Sequence, residues 1–347
     1  MKKALSILLV CILVLSMLVG CTSGGKESGA DKETSTPVSA GDSARDSSGD
    51  SSGDSKVIKI ALITKMVDSP YWQTVKRAAE EKAKELGNVE VTHLGPPTEA
   101  DIDKQVQIVE ACINDDYDGI ILAACDVDAL VEPVKKAKAA GIPVVMIDSG
   151  ISEPVYDAFL ATNNVQAGAE CAKLMAELIG GKGQVAIINF AAGTQTAIDR
   201  ETGFTEEIKN NYPDIEIVGV QYCNSDPTVA ANQATDFITA FPDLKGIWGA
   251  NDQSAIGVAQ AVTEQGKSES IMVVGFDNSD DIKAGLKSGT IKGTAVQMPT
   301  LMGSRGVEIV LDIINGNPPA EKDIDTGVTM VTTENMNDPK IDAILNQ

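Results

Sequence analysis

The chain has 347 residues, a formal net charge of -22 and a mean hydropathy of -0.01, with 43% hydrophobic and 22% charged residues. That length suffices for about two globular domains, and so acidic a chain argues against a nucleic-acid binder, whose phosphate partner demands clustered Lys and Arg. A single histidine, His93, leaves no pair for a His-based metal site and argues against a His-dependent catalytic triad.

At the N-terminus, Lys2 and Lys3 precede an apolar stretch from Ala4 to Val19, the pattern of a secretory signal. Leu18-Val19-Gly20-Cys21 closes it and resembles the bacterial lipobox. That implies cleavage before Cys21 and acylation of Cys21, where two chains anchor stably and one is marginal. Residues 22–55 are rich in Ser, Gly and Asp, with Val38 the only large aliphatic. Such a segment cannot bury enough surface to offset its ordering entropy. Residues 1–20 therefore read as a lipoprotein signal peptide and 21–56 as the lipidated Cys and a disordered tether, with a reach of roughly 30 Å.

From residue 57 the chain alternates strand and helix. The pattern predicts strand 57–63, helix 70–86 ending at Gly87, strand 89–94, helix 100–114, strand 119–124, helix 128–140 closed by Gly141, strand 143–147 and strand 158–162. It continues with helix 166–179, strand 184–190, helix 195–211, strand 215–222, helix 228–240, strand 245–250, helix 252–265, strand 271–276, helix 279–287, strand 291–297 and helix 299–314. The strands are continuous Val/Ile runs, as in parallel strands buried on both faces. The fold class is α/β, and this many βα units exceed one sheet. Two similar doubly wound parallel-sheet lobes are expected, with a ligand crevice at the carboxyl ends of the strands. Cys112, Cys125, Cys171 and Cys223 lack metal-site spacing; Cys112 and Cys171 lie in helical patterns and read as small buried apolar residues, and no structural disulfide is expected.

Polar groups follow the strands. Ser69-Pro70-Tyr71-Trp72 opens the first helix; the two aromatics suit a sugar ring face or, equally, the core. Asp126 and Asp128 follow the third strand, Asp128 as a helix cap, and Asp148-Ser149 follows the fourth. Arg200 lies in a second-half helix; Asn251, Asp277 and Gln297 end three strands. Carboxylates, amides and guanidinium groups each bond neighbouring hydroxyls, so their convergence describes a polyhydroxyl site. Arg200 and the amides are expected to keep the carboxylates charged rather than to raise an acid for glycoside hydrolysis.

The stretches ALITK, DSPYWQTVKRAAEEKAKELG, DGIILAACDVDALVEPVKKAKAAGIPVVMIDS, ATNNVQAG, RETGF, GIWGAND, IMVVGFDNSD and GTAVQMP run in one order over residues 57–330. Together they resemble bacterial type I periplasmic solute-binding proteins of the ribose/galactose class, which feed ABC transporters. The resemblance implies two lobes, 57–162 plus 298–325 and 163–297 plus 326–347, joined by a three-segment hinge and closing on a sugar. It implies ligand contacts at Ser69, Tyr71, Trp72, Asp148, Arg200, Asn251, Asp277 and Gln297, with Lys65 facing the cleft, and Lys65, Asp126 and Ser149 are expected to join them as ligand-binding residues. It also implies a monomer outside the cytoplasm, tethered to the membrane, with a permease and its ATPase as partners and no cofactor. Ribose binders carry Asn, Arg and an aromatic where this chain has Ser69, Ser149 and Ser225. Lys65 and GPPTEAD (95–101) resemble binders of other sugars and of the furanose signal autoinducer-2.

Other readings fail on placement. Ala261–Ser268 fits a loose phosphate-loop pattern, but it ends a helix and precedes a strand, the reverse of what phosphate binding needs. LacI-type repressors share the expected fold, but a signal peptide and the lack of a helix-turn-helix exclude a regulator. Two uses of such a head stay open: delivery to a transporter, or ligand sensing for a membrane receptor.

Overall fold

The computed structural model describes residues 56–346. The expected signal peptide, Cys21 and the expected tether up to residue 55 lie outside the described residues. In chain order come β1 (Ile58–Ile63), α1 (Pro70–Leu86), β2 (Val89–Leu94), α2 (Ile102–Asn114), β3 (Gly119–Leu122), α3 (Val131–Ala139), β4 (Val144–Ile147) and β5 (Ala158–Ala161). The second run is α4 (Asn164–Leu178), β6 (Gly183–Asn189), α5 (Gln195–Asn211), β7 (Ile215–Tyr222), α6 (Pro227–Ala240), β8 (Leu244–Gly249), α7 (Asp252–Glu264), β9 (Met272–Phe276), α8 (Asp280–Ser288) and β10 (Ile291–Val296). The chain closes with α9 (Pro299–Ile314), β11 (Asp323–Asp325), β12 (Thr329–Thr332) and α10 (Pro339–Leu345).

These strands form two six-stranded sheets, β11-β5-β4-β3-β1-β2 and β12-β10-β9-β8-β6-β7. The orders correspond strand for strand, so the molecule is two similar α/β lobes. The first sheet is sandwiched. Ile60, Leu62, Ile121 and Val145 pack on α1 and α9, while Ala61, Ile63, Ile120 and Leu122 pack on α2 and α3. Alternate side chains thus enter opposite apolar layers, which is why these strands read as unbroken hydrophobic runs. Each fully buried Ile or Val contributes about 1.5–3 kcal/mol relative to exposure.

Two local differences from the sequence reading have clear causes. The second sheet is mixed rather than wholly parallel, because β12 pairs antiparallel with β10. The third helix starts at Val131, not at residue 128. Asp126, not Asp128, caps that segment: its Oδ1 accepts from the backbone N–H of Asp128 (3.0 Å) and of Ala129 (2.9 Å), making a separate turn before α3.

The chain crosses between the sheets after β5, after β10 and after β11, and two of these crossings are tied together. Asp325 Oδ1 accepts from the N–H of Asn163 (3.2 Å) and of Gly327 (2.8 Å), while the Thr162 hydroxyl donates to the Gly327 carbonyl (3.2 Å).

Within the second lobe, α4 and α5 cross at glycines. A Cβ on Gly168 would overlap the Arg200 carbonyl, and one on Gly203 would overlap the Val165 carbonyl. The two backbones therefore touch, and the contact holds Arg200 at a fixed depth beneath the carboxyl ends of β6 and β8.

Candidate functional site

The carboxyl ends of both sheets face one another across a closed cleft. Between them lies a cavity lined from the first lobe by Lys65, Met66, Ser69, Tyr71, Trp72, Glu99 and Asp148. The second lobe supplies Phe190, Arg200, Ser225, Asn251, Asp252, Gln253, Asp277 and Gln297.

Asp148 follows β4 and Asp277 follows β9, the equivalent strands of the two lobes. Both adopt left-handed backbone, φ 59° and 68°. Each donates its N–H to the neighbouring strand, Asp148 to Leu160 O (2.9 Å) and Asp277 to Ala295 O (2.8 Å). The left-handed turn swings each carboxylate off its strand end and into the cavity. Non-glycine residues rarely accept this conformation, and its repetition in both lobes marks a functional position.

Each acid is held differently. Lys65, at the end of β1, places Nζ 2.9 Å from Asp148 Oδ1, with both side chains under 5% exposed. The pair is close but its angle falls short of hydrogen-bond alignment, so Oδ1 stays open to a better-aimed donor. Burial pulls the Lys65 ammonium down, but Asp148 and Glu99 outweigh it, so its pKa is raised and it remains charged. The Tyr71 hydroxyl donates to Asp148 Oδ2 (3.3 Å). Asp277 accepts from Gln297 Nε2 (2.8 Å) and from the Asp252 N–H (3.2 Å). Burial raises the Asp277 carboxyl, and Arg200 with Gln297 offsets this only in part. That corrects the expectation that Arg200 and the amides would keep this carboxylate in its ordinary range.

Arg200 is buried between two rings, its guanidinium carbon 3.7 Å from the Phe276 ring centroid and 5.5 Å from that of Phe190. Nε donates to Asn164 Oδ1 (2.8 Å) and Nη1 to the Ala250 carbonyl (2.8 Å). Two of its five donors are thus spent on fixing its pose, and the rest remain for a partner in the cavity. Asn251 caps α7 in a capping box and also donates to the Ser225 hydroxyl (2.9 Å). Ser69 sits at the N-cap of α1 but its hydroxyl makes no capping bond, which leaves it to the cavity. Trp72 answers both readings of the sequence: it is 2% exposed within the first-lobe core, yet it also lines the cavity, edge-on to Tyr71 at 4.9 Å.

Two expected ligand residues lie elsewhere. Asp126 and Ser149 do not line the cavity; they lie on the seam between the lobes. Asp126 packs on Gly193 while capping its own turn, and Ser149 Oγ meets Thr196 Oγ1 at 3.1 Å. Around them, the Val127 N–H donates to Gly193 O (3.0 Å) and the Thr194 hydroxyl to Cys125 O (2.8 Å). Lys65 Nζ also reaches the Thr196 hydroxyl at 3.3 Å.

The cavity also contains residues outside the sequence-derived set. Phe190 ends the run QVAIINF and reads as one more strand residue, yet its ring faces Lys65 at 5.2 Å. Glu99 lies in an aperiodic loop. Asp252 was legible as the residue after Asn251, but it reads as an ordinary acid at a helix start.

Burial, reinforced by Asp277, raises Asp252 from 3.8 to about 7. The folded chain then holds a proton that the unfolded chain has lost, so stability falls as pH rises from about 4 to about 7 and levels off above. Asp252→Asn is expected to flatten that slope, measured as urea midpoints from about pH 4 to about pH 8. A slope identical to wild type would show that Asp252 does not carry it.

Among the described residues no cluster of His, Cys, Asp and Glu is arranged to hold a metal, and no helix is long and apolar enough to cross a membrane. Cys112, Cys125, Cys171 and Cys223 are buried thiols.

Known proteins with this architecture carry binding, not catalytic, names. The D-allose-binding periplasmic protein of Escherichia coli (strain K12) is 34% identical over 260 residues, 73% of this chain and 83% of that protein. The D-apiose import binding protein of Actinobacillus succinogenes is 34% identical over 69% of this chain and 76% of its own length. Among solved structures, an ABC transporter solute binding protein from Agrobacterium vitis with bound D-fucose has 41% identity and a TM-score of 0.81, covering 83% of this chain and 99% of that one. A carbohydrate transporter solute binding protein from Agrobacterium radiobacter, in complex with D-arabinose, has 35% identity and a TM-score of 0.81, covering 84% and 100%. In this company the chain is a binding protein rather than an enzyme. Residues 60–318 match the periplasmic binding protein domain, and the chain belongs to that family.

Proposed function

We propose that this chain captures a monosaccharide, or a similar small polyol or furanose, between its two lobes and delivers it to an ABC-type importer. The observation that carries the reading is the pair Asp148 and Asp277, presented from equivalent strand ends of opposite lobes into one cavity. A carboxylate accepts from two adjacent hydroxyls, so two of them bracket a sugar ring from both lobes. Arg200, Asn251 and Gln297 supply further bonds, and Trp72 with Tyr71 offers apolar ring surface to the C–H face of the sugar. The sugars carried by the relatives, D-allose, D-apiose, D-fucose and D-arabinose, support this class of ligand.

In this mechanism the lobes are 57–162 plus 298–325 and 163–297 plus 326–347, and they move about the three crossings. A ligand bonded to both lobes favours the closed state by its differential affinity. The seam at Asp126, Gly193, Ser149 and Thr196 then forms around it. The closed head docks on a permease, whose ATPase partner drives release. Cys21, acylated at the lipobox, holds the monomeric head near that permease outside the cytoplasm.

Residues 54–347 form a compact unit of their own. A thermal-shift screen of residues 56–347 against pentoses, hexoses, inositols and autoinducer-2 tests the reading. Ligand at about 100 times its Kd stabilises by about 2.7 kcal/mol, which raises the midpoint by roughly 4 °C in a protein of this size. A shift with one sugar class is the expected result. A well-folded head that no member of the panel shifts would overturn the sugar reading.

A further inference from the structure

The cavity has a thin wall that spans both lobes. Glu99, in the loop between β2 and α2, is 6% exposed, and its Oε2 accepts from the Ser225 hydroxyl of the second lobe (2.9 Å). Ser225 in turn accepts from Asn251 Nδ2 (2.9 Å). The turn that aims Ser225 inward has two consecutive left-handed residues, Asn224 and Ser225, at φ 53° and 56°, a strain that surrounding structure must hold in place. Glu99 and Ser225 line the central cavity on one side and a second, outward-opening hollow on the other. They are therefore a partition between ligand space and solvent.

The remaining charges decide what this partition can read. Asp148 is paired with Lys65, Asp277 is bonded by Gln297 and the Asp252 N–H, and Arg200 is pinned by Asn164 and Ala250. Glu99 Oε1 makes no hydrogen bond to the protein among the described residues. Asp148, Asp252 and Asp277 share the same space with Lys65 and Arg200, and burial raises both Asp252 and Asp277 toward their protonated forms.

We propose that Glu99 is a specificity-determining residue: it accepts a hydrogen bond from one ligand hydroxyl at the partition and repels ligands that are anionic there, such as uronic acids. This rests on the sugar-binding reading above. A buried acceptor left without its donor is penalised, and a second carboxylate beside it more so, so the site selects by rejection as well as by attraction.

Glu99→Gln tests it. The single amide oxygen still accepts from Ser225, so the partition stays closed, but the group left facing the ligand is now a donor. The full chain and the variant are titrated by calorimetry with the sugar that gives the strongest shift, its set of monodeoxy analogues and its uronic acid. The expected result is a Kd raised about tenfold or more for the parent sugar. One monodeoxy analogue should bind wild type and variant alike, and the uronic acid should gain affinity in the variant. Equal factors of loss for the parent and every analogue would assign Glu99 to lobe closure alone and overturn the proposal. So would an unchanged Kd throughout. If wild type binds no sugar at all, the sugar reading itself falls, and this inference with it.

Discussion

Arg200→Ala is expected to abolish useful affinity, raising Kd at least about a hundredfold, and to destabilise the free protein by about 2–4 kcal/mol. The guanidinium fills the gap between Phe190 and Phe276, satisfies Asn164 and Ala250, and is the cation that counters Asp277. Truncation leaves two buried acceptors unpaired, opens a void between two rings, and leaves a buried acid less compensated. Arg200→Lys is expected to rescue little, because an ammonium keeps the charge but not the planar fork that bonds two acceptors while stacked. Calorimetric titration with the best sugar and urea unfolding of both variants check this. Affinity near wild type in Arg200→Ala would remove Arg200 from the binding set.

Asp148→Asn carries the second large effect. Asn tolerates the left-handed backbone, so the substitution isolates charge from strain. It strips a buried ammonium of its counter-ion, which typically destabilises by about 3–5 kcal/mol. Lys65 is then expected to lose its raised pKa and fall below its unfolded value. The unfolded chain would bind the extra proton in that window, so the variant's stability should rise with pH through it, a slope wild type lacks. Lys65→Met added to Asp148→Asn is expected to recover much of the stability, since removing both charges leaves neither uncompensated. Binding should stay weak in both, by about a hundredfold. A single variant as stable as wild type, with no new pH slope, would show that the ion pair contributes nothing.

Most of the scaffold was legible because its signals are local. Val/Ile runs mark strands that are buried on both faces, and Gly87, Gly141 and Pro70 mark helix ends. The three missed elements have no such signal. β11 is the tripeptide Asp-Ile-Asp, β12 is four residues, and α10 is seven. Two of these are edge strands specified by the sheet they join, not by their own periodicity. At the site, strand-end position predicted which side chains converge. It could not say which way each one turns. Asp126 bends back onto the N–H groups of Asp128 and Ala129, a local turn, while Ser149 faces Thr196, a choice made by the opposite lobe. Glu99 was hidden for the same reason: its partner, Ser225, is 126 residues away.

The twin left-handed aspartates also bear on how such a site can change its ligand over evolution or in the laboratory. A residue with a branched or bulky side chain at position 148 or 277 must first overcome the backbone, at about 1–2 kcal/mol before any ligand is considered. Only Asn and Gly escape that handicap, and Gly surrenders the carboxylate. Both positions are thus nearly closed to variation. Retuning falls to neighbours on ordinary backbone, among them Glu99 and Ser69. A mutant library meant to redirect the cleft gains diversity by leaving the two acids untouched and randomising that periphery.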